Sequence, residues 1–443
     1  MATSPEAASE VTHKVYRKTI NSWCLYDWAN SAFVTTIVAT IGQAFYIEVA
    51  GKNLGPVQAG NYWGFTNSAA MLLVACVAPI LGAMADHSGA RKRFLGGFAG
   101  LGILFTTLLV FPKSGSWLWM SMIYIVARIG FAGGNIFYDS LLPHVALRND
   151  IDQVSARGYA MGYLGGGLLL AINVAMIYQL GPERGARFCF LTVAVWWAVF
   201  SIPIFRRVAE PPAMLTGAES PNPVRAGFQR LRRTFREIRR YRQLLIFLLA
   251  FWLYNDGIGT IWAMGVAFGK GLDLEAIDLV KAILAVQFIG VPCAFGFGWL
   301  ARRLGTKGSI LLGLSVYTAI TVGAFAIITI SEFTVFHFWL MAVGVGLVQG
   351  GTQALSRSLF GAMSPKAKAS EFFGFYNMSS KFATILGPFV YGLVGALTGE
   401  PRWSIVSIAI FFAGGAVLLL CVNVKEGIRV AKEEDAAHER NHG

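Results

Sequence analysis

The sequence has few charged residues for its length. Asp, Glu, Lys and Arg make up 14% of the 443 residues, whereas hydrophobic residues make up 55%. Ordinary globular chains carry about 25% charged residues. So little polar surface cannot cover a folded chain in water, and a soluble globular protein is excluded. The composition predicts an all-α integral membrane protein.

Cysteine and histidine are also scarce. The five cysteines lie in apolar segments, without the spacing of a disulfide framework or a zinc site. The six histidines lie in loops, tails or span edges and form no HExxH-type pair. We therefore expect no metal or other cofactor and predict that the chain is not an enzyme. The first 19 residues are polar and the apolar run that follows is too long for a signal peptide, so it should remain as the first span.

Long apolar segments recur along the whole chain. A bilayer crossing takes roughly 20 apolar residues, and twelve such segments can be placed. The predicted spans are 21–49, 62–85, 94–111, 117–142, 158–180, 186–205, 244–269, 278–301, 309–330, 336–363, 372–397 and 403–424. The predicted domains are an N-terminal segment 1–19, a six-helix bundle 20–206, a linker 207–243, a second six-helix bundle 244–424 and a tail 425–443. We expect both terminal segments to be flexible or to lie along the surface.

Basic residues indicate the orientation. Most of the 37 Lys and Arg residues fall in loops on the side that also holds both termini, and cytoplasmic loops collect such residues. Both termini are therefore predicted to be cytoplasmic, in a multi-pass protein of the bacterial inner membrane. Within the linker, Phe228, Leu231, Phe235 and Ile238 recur at helical spacing among arginines, which predicts an amphipathic helix on anionic lipid. The positive charge thus needs no nucleic-acid partner.

The two halves of the sequence repeat each other. The string GAMADHSGAR at 82–91 and the string GWLARRLGTK at 298–307 align at an offset of 216 residues, matching both glycine pairs. Two six-helix halves on a long linker, with G-x-x-x-D-x-x-G-x-R after the second span, resemble the major facilitator superfamily. His87 and Ala90 depart from the usual basic residues of that motif, whereas Asp86 and Arg91 match it.

Longer strings carry a narrower resemblance. They are YDWANSAF at 26–33, SARGYAMGYLGGG at 155–167, LYNDGIGT at 253–260, and GGTQALSRSLF, EFFGFY and LGPF between 350 and 389. The sequence is similar to the vacuole-effluxer-like branch, catalogued as unknown major facilitator family 1. The resemblance implies the major facilitator fold and a secondary transporter. Some eukaryotic relatives are associated with amino-acid efflux from the vacuole, whereas bacterial members mostly lack an assigned substrate.

Polar and charged side chains form stripes inside the apolar spans. An ionisable group at bilayer depth costs roughly 2.5–3.5 kcal/mol on insertion scales unless it is paired or faces water, so it marks a candidate site. Near the midplane, where transporter sites lie, we predict a site for a zwitterionic or anionic solute. Its candidate residues are Asp256, Lys381, Arg128, Asn30, Gln353, Tyr254 and Asn377. The alternative, left open by the sequence, is that the charged members form fixed ion pairs between helices.

A second group lies toward the predicted cytoplasmic end and is assigned to a gate or to proton coupling. It comprises Asp27, Asp139, Arg357, Asp86 and Arg91. Burial disfavours a charged carboxylate, so Asp27 and Asp256 are candidates to bind and release a proton as access alternates. Equally, Asp27 could stay ionised and pair with Arg357 or Lys381 as a latch. Coupling to sodium also remains open.

These observations favour a proton-coupled secondary transporter, expected to be a monomer in membrane lipid, that moves a small polar solute such as an amino acid or related metabolite. Export is a possible direction. A lipid or amphiphile translocase of the same fold is the first alternative. A non-transporting membrane receptor is the second, although no soluble sensing domain is evident.

Overall fold

A computed structural model describes residues 5–54, 56–211, 238–270, 276–330, 335–382, 386–398 and 400–442. Over these ranges the chain forms helices joined by short turns, with no strand. The predicted all-α class is therefore confirmed. Most of the linker, including the predicted amphipathic helix, lies outside the described residues.

The described residues of the first half form eight α-helices and two π-helical turns. They are α1 (Pro5–Ala32), π-helix Phe33–Val38, α2 (Ile41–Phe45), π-helix Tyr46–Ala50, α3 (Pro56–Ser88), α4 (Arg91–Leu108), α5 (Trp117–Ser140), α6 (Leu142–Val145), α7 (Ile151–Leu180) and α8 (Pro182–Arg207). Helix α1 begins well before the predicted first span, so most of the N-terminal segment is helical. A polar stretch can extend a helix that the span has already nucleated, because elongation costs less than nucleation.

The described residues of the second half form eight further α-helices and two 3-10 turns. They are the 3-10 turn Ile238–Tyr241, α9 (Arg242–Lys270), α10 (Ala276–Ile330), α11 (Val335–Met363), the 3-10 turn Lys366–Lys368, α12 (Ala369–Phe382), α13 (Leu386–Thr398), α14 (Pro401–Ser407), α15 (Ala409–Leu420) and α16 (Val424–His442). Each of the twelve predicted spans overlaps helix. The eleventh overlaps α12 and α13, and residues 383–385 between them lie outside the described residues.

Eight stretches of the described chain are long and apolar enough to cross a membrane. Large apolar side chains remain exposed on the helices, for example Leu72, Leu104, Val199 and Ile410. Such surface is unfavourable in water but suits contact with acyl chains, where each helix satisfies its own backbone hydrogen bonds.

The helices form two compact units. The described residues of Met1–Val74, Gly89–Asp150 and Met161–Pro212 belong to one, and those of Ala75–Ser88, Ile151–Ala160 and Ala213–Gly443 belong to the other. Stacked aromatic rings such as Trp23 on Tyr138, with centroids 4.5 Å apart, pack the first unit. In the second unit, Phe251 stacks on Tyr376 at 4.3 Å. The predicted bundle boundaries stay a prediction.

Two glycines of the sequence repeat end helices in the same way. Gly89 has φ 58° between α3 and α4, and Gly305 has φ 76° within the long run α10. A side chain disfavours this left-handed conformation, which a turn after a helix requires. The shared glycine therefore makes the same sharp turn in both halves, and it divides α10 into the predicted eighth and ninth spans.

The C-terminal tail forms helix α16 and is tied to neighbouring loops. Glu434 forms two ion pairs. Its Oε2 lies 2.9 Å from Arg240 Nη1, and its Oε1 lies 3.1 Å from Lys368 Nζ. Burial lowers the pKa of Lys368, but nearby Tyr241 and Glu434 outweigh this and raise its pKa above the ordinary value. The Lys366 amide also donates to Asp435 Oδ1 at 2.8 Å. Of the two expected arrangements of the tail, flexible or lying along the surface, these contacts favour the second, because the loops supply partners for its acidic residues.

We predict that Glu434→Ala lowers the stability of the protein by about 1–2 kcal/mol, because it removes two charge-assisted contacts at a partly buried position. Thermal unfolding of the purified protein in detergent measures the change. Glu433→Ala is the matched control, since Glu433 pairs with Arg429 where both side chains are more than half exposed. Equal unfolding temperatures for the two variants would contradict a clamping role for α16.

Candidate functional site

Polar side chains of the first unit bind one another between the first and fourth spans. Tyr138 donates its hydroxyl proton to Asp27 Oδ2 at 2.8 Å, and Asn30 Nδ2 donates to Asn135 Oδ1 at 2.7 Å. Asp27 and Asn30 lie on α1, and both partners lie on α5. The predicted polar stripes of the first and fourth spans therefore face each other. Asp27, a candidate for the gate, and Asn30, a candidate for the solute site, both take part in these contacts.

Arg128 differs from its neighbours on α5. Its Nε and Nη1 atoms are buried and have no hydrogen-bond partner in the described structure. The guanidinium carbon lies 5.3 Å from the centroid of the Phe131 ring, within cation–π distance. An aromatic face offsets only part of the cost of desolvating a cation, so the charge of Arg128 is poorly compensated.

In the second unit, Asp256 binds the backbone of the eleventh span. Both of its carboxylate oxygens lie 2.9 Å from the amide nitrogen of Gly387 in α13. The side chain is 1% exposed. A hydrogen bond to an ionised group is stronger than one between neutral groups, so the amide offsets part of the cost of burying this carboxylate. Asp256 therefore joins α9 to α13.

Gly387 fits this contact because it has no side chain. A Cβ atom there would lie 2.9 Å from Asp256 Oδ1 and closer still to Thr260 Oγ1. Thr260 in turn donates to the Asp256 carbonyl oxygen at 2.7 Å. Asp256 and Thr260, both polar residues of the predicted seventh span, therefore lie beside the backbone of Gly387 in the eleventh span.

Three further candidates of this unit, Tyr254, Gln353 and Asn377, also form hydrogen bonds. The hydroxyls of Tyr254 and Ser356 are 2.6 Å apart, and Gln353 Nε2 donates to Asn255 Oδ1 at 2.7 Å, so both pairs join α9 to α11. Asn377 instead donates to the Phe373 carbonyl oxygen of its own helix at 3.0 Å. The side chain of Lys381 lies outside the described residues.

At the end of α3, Asp86 binds the start of α12. Its carboxylate accepts hydrogen bonds from the amides of Ser370 at 3.2 Å and Glu371 at 2.9 Å. Gly82, one turn earlier, permits this approach, because a Cβ atom there would lie within 3.0 Å of Ser370 and Glu371 backbone atoms. The acidic residue of the loop motif therefore caps a helix from the other half of the sequence.

Arg357 makes the corresponding contact from α11 to the start of α7. Its Nε donates to Ser155 Oγ and its Nη2 to the Ser155 carbonyl oxygen, each at 3.0 Å. The guanidinium carbon also lies 4.3 Å from the centroid of the Tyr159 ring. Asp152, at the same helix start, accepts hydrogen bonds from Ser358 and from Thr306, the latter at 2.7 Å.

The other two gate candidates lie in the first unit. Arg91 is fully buried, and its Nη1 donates to His144 Nε2 at 2.7 Å. Because a guanidinium only donates, this ring nitrogen of His144 must be the acceptor. Asp139 is 8% exposed. Arg91 thus braces the short helix α6, which follows the fourth span.

Sequence reasoning missed Asp152 and Ser155. The string SARGYAMGYLGGG at 155–167 contributed only to the family resemblance. The sequence did contain a signal near Ser155. Gly158, three residues later, aligns with Gly374 in the repeat. His144 and Tyr138 could not be singled out, since nothing local distinguishes them from other residues near span ends.

A metal centre is not evident in the described part of the chain. No group of three or more His, Cys, Asp or Glu residues there is placed to hold an ion. The polar groups of the spans can donate and accept hydrogen bonds and can carry charge at membrane depth.

Comparison with known proteins identifies the family. The family described as "Vacuole effluxer Atg22 like" matches residues 16–432. The chain belongs to the Atg22-like vacuole effluxer family. The predicted branch of the major facilitator superfamily is thereby confirmed.

Relatives of this Atg22-like chain occur in bacteria and fungi. It is 35% identical to the uncharacterized MFS-type transporter YxiO of Bacillus subtilis (strain 168), over 95% of this chain and 99% of the relative. It is 23% identical to autophagy-related protein 22 of Kluyveromyces lactis, over 94% and 96% of the two chains. By these relationships the protein is an MFS-type transporter.

Solved structures agree with the fold. The human organic anion transporter MFSD10 (TETRAN) superimposes with a TM-score of 0.65 at 14% identity, covering 91% of this chain and 99% of that one. The proton:xylose symporter XylE gives a TM-score of 0.67 at 13% identity, covering 92% and 96%. At such identities the likeness shows the fold alone.

Proposed function

We propose that this protein is a secondary active transporter of the bacterial inner membrane that exports a small polar solute, such as an amino acid or related metabolite, by proton-coupled alternating access. The observation that carries the proposal is charge held deep in apolar helices, at Asp256 and Arg128. Such residues are costly in lipid and are retained where a polar pathway needs them. Membership of a transporter family supports the same conclusion.

The contacts at the predicted cytoplasmic end supply a gate in this proposal. Asp86 on the amides of α12 and Arg357 on Ser155 hold helix ends together with hydrogen bonds. Alternating access requires such ends to separate and rejoin. Hydrogen bonds to backbone groups suit this role, because water can replace each partner when the contact opens.

Asp256 is the proposed coupling carboxylate. When ionised it accepts the Gly387 amide with both oxygens. Protonation would remove the negative charge that accepts the Gly387 amide and weaken the contact. Proton binding would then alter how firmly α13 is held against α9, which couples protonation to movement of the eleventh span.

Transport by the purified chain in liposomes tests the proposal. The probes are the twenty amino acids, small carboxylates and neutral sugars, with accumulation followed by mass spectrometry and lumenal pH by trapped pyranine. Protons run inward across a bacterial inner membrane, so active export exchanges the solute for a proton. We therefore expect a lumen more acidic than the external buffer to drive accumulation of at least one probe. Asp256→Asn keeps an acceptor for Gly387 but removes the charge, so it should abolish gradient-driven accumulation while exchange across the membrane continues.

Glu433→Gln is the matched control, because it removes a carboxylate from the exposed surface of α16. It should transport as the unmodified protein does. Accumulation that ignores the pH gradient would overturn proton coupling. Movement of fluorescent phospholipids and of none of the polar probes would instead identify a lipid translocase.

A further inference from the structure

The fourth span carries a guanidinium that its protein partners leave unsatisfied. Arg128 lies 11 residues after the start of α5 at Trp117, roughly 16 Å along the helix at 1.5 Å per residue. That distance places it near the middle of a bilayer crossing. Its Nε and Nη1 atoms are buried without a hydrogen-bond partner in the described structure.

Other buried arginines of the described chain are satisfied. Arg91 donates to His144, and Arg357 donates to the hydroxyl and carbonyl oxygens of Ser155. A structural arginine in this protein therefore has protein acceptors. Arg128 has only the face of Phe131, three residues along the same helix. An unmet donor pair on a buried cation costs several kcal/mol unless a ligand supplies the acceptors.

Arg128 does not lie on the outer face of α5. The exposed apolar residues Leu118, Trp119 and Met122 mark that face. At about 100° per residue, Arg128 is turned roughly 180° from Trp119, 120° from Met122 and 80° from Leu118. It shares its own face with Ser121 and Asn135, both of which bind polar groups of other spans. The guanidinium therefore belongs to the polar stripe.

The described polar groups near Arg128 on α5 are neutral and held in place. Tyr124, one turn earlier, donates its hydroxyl proton to Asn67 Oδ1 at 2.9 Å. The Tyr124 ring also packs on Trp63, with centroids 4.3 Å apart. Both partners lie on α3, so two spans fix the orientation of this wall.

A second set of hydrogen bonds supports the same wall. Ser121 Oγ lies 2.7 Å from the Tyr46 hydroxyl and accepts from Thr66 Oγ1 at 2.9 Å. These groups satisfy one another and leave Arg128 as the charged group of the cluster. A cation that lacks hydrogen-bond acceptors and lies beside a rigid, neutral surface can bind an anion.

We propose that Arg128, with Tyr124 and Asn67 beside it, forms the anion subsite of the transported solute and binds a carboxylate group. The proposal rests on the proposed transport function and assigns the substrate class to it. A guanidinium binds a planar carboxylate through two parallel hydrogen bonds, which are stronger and more directional than neutral ones. The bound carboxylate would supply the acceptors and the charge that α5 lacks.

Binding to the full-length purified protein tests this subsite without requiring transport. The probes are sodium L-leucine, L-lactate and succinate, each compared with its amide at the same concentration, with affinity taken from the shift in unfolding temperature. We expect at least one carboxylate to stabilise the unmodified protein and its amide to have no effect. Equal effects of acid and amide would overturn the proposal, and this comparison needs no variant.

Two variants at Arg128 complete the test. Arg128→Gln should weaken carboxylate binding at least tenfold, whereas Arg128→Lys, which keeps the charge but not the fork, should weaken it less. Arg302→Gln, at an exposed position, is the control and should bind normally. Unchanged binding by a monodisperse Arg128→Gln protein would overturn the subsite.

The outcomes separate this proposal from the transport function. Carboxylate binding that depends on Arg128 in a protein that moves no probe in liposomes would support the subsite and contradict transport. Accumulation of probes that is unaffected by Arg128→Gln would support transport and overturn the subsite.

Discussion

Replacing Gly82 with alanine is expected to give one of the largest losses of stability and transport in this protein. The new Cβ atom would lie 2.9 Å from the Glu371 Cα atom and closer to the Ser370 carbonyl group. Backbone atoms cannot rotate away as a side-chain end can, so the start of α12 must shift. Overpacking of this kind costs about 1–3 kcal/mol.

The shift would also weaken the hydrogen bonds from the Ser370 and Glu371 amides to Asp86. Hydrogen bonds to a charged group contribute about 1.5–3 kcal/mol each. We therefore expect Gly82→Ala to lower the apparent unfolding temperature by about 5 °C or more and to reduce transport in liposomes at least tenfold. Both are measured on the same purified sample.

Gly97→Ala is the matched control for this change. Gly97 also lies within a helix, but nothing approaches within 4 Å of the Cβ atom it would gain. It should unfold at or slightly above the original temperature, because alanine favours a helix over glycine. If both substitutions had the same small effect, the close contact between α3 and α12 would not be needed for function.

Replacing Arg357 with glutamine is expected to have a comparable effect at the start of α7. The change removes both donors to Ser155 and the contact with Tyr159, and it leaves the Ser155 carbonyl oxygen buried without its charged partner. Breaking a buried charged contact from one side typically costs about 3–5 kcal/mol. We expect clear thermal destabilisation and at least a tenfold loss of transport.

Arg357→Lys separates charge from geometry. Lysine keeps the positive charge but cannot donate to both Ser155 oxygens from one planar group, so its transport should lie between that of the original protein and that of Arg357→Gln. Arg302→Gln, an exposed arginine near the end of the eighth span, should leave unfolding temperature and transport unchanged. A stable Arg357→Gln protein that transports normally would remove Arg357 from the proposed gate.

Much of the fold followed from local sequence. Apolar length alone located helices at all twelve predicted spans, because a lipid-solvated chain must satisfy its backbone within each segment. The repeat of Gly82 and Gly298 marked two close helix approaches, since Gly298 also packs against Ala156. The contact between Asp256 and Gly387 was not predicted, because it joins residues 131 positions apart in the sequence.

The candidate site was predicted less completely. The stripes selected polar residues that are buried, such as Asn30, or half-buried, such as Asp27 and Gln353, but not their partners. Asp86 was recognised from its motif, yet its acceptor role toward the amides of α12 depends on a contact 285 residues away in sequence. Helical spacing defines a face, whereas a partner depends on which other face packs against it.

The sequence by itself determined three things: that the chain is a membrane protein, at which residues its helices occur, and to which family it belongs. Composition, periodicity and motifs can decide these because they are properties of short segments. Only the tertiary structure decided which buried charges are satisfied. It gave Arg357 a backbone carbonyl, gave Asp256 a backbone amide and, within the described residues, left two nitrogens of Arg128 without a protein acceptor. Hydrogen bonds act over about 3 Å, and residues far apart in the chain reach that distance only when the helices pack.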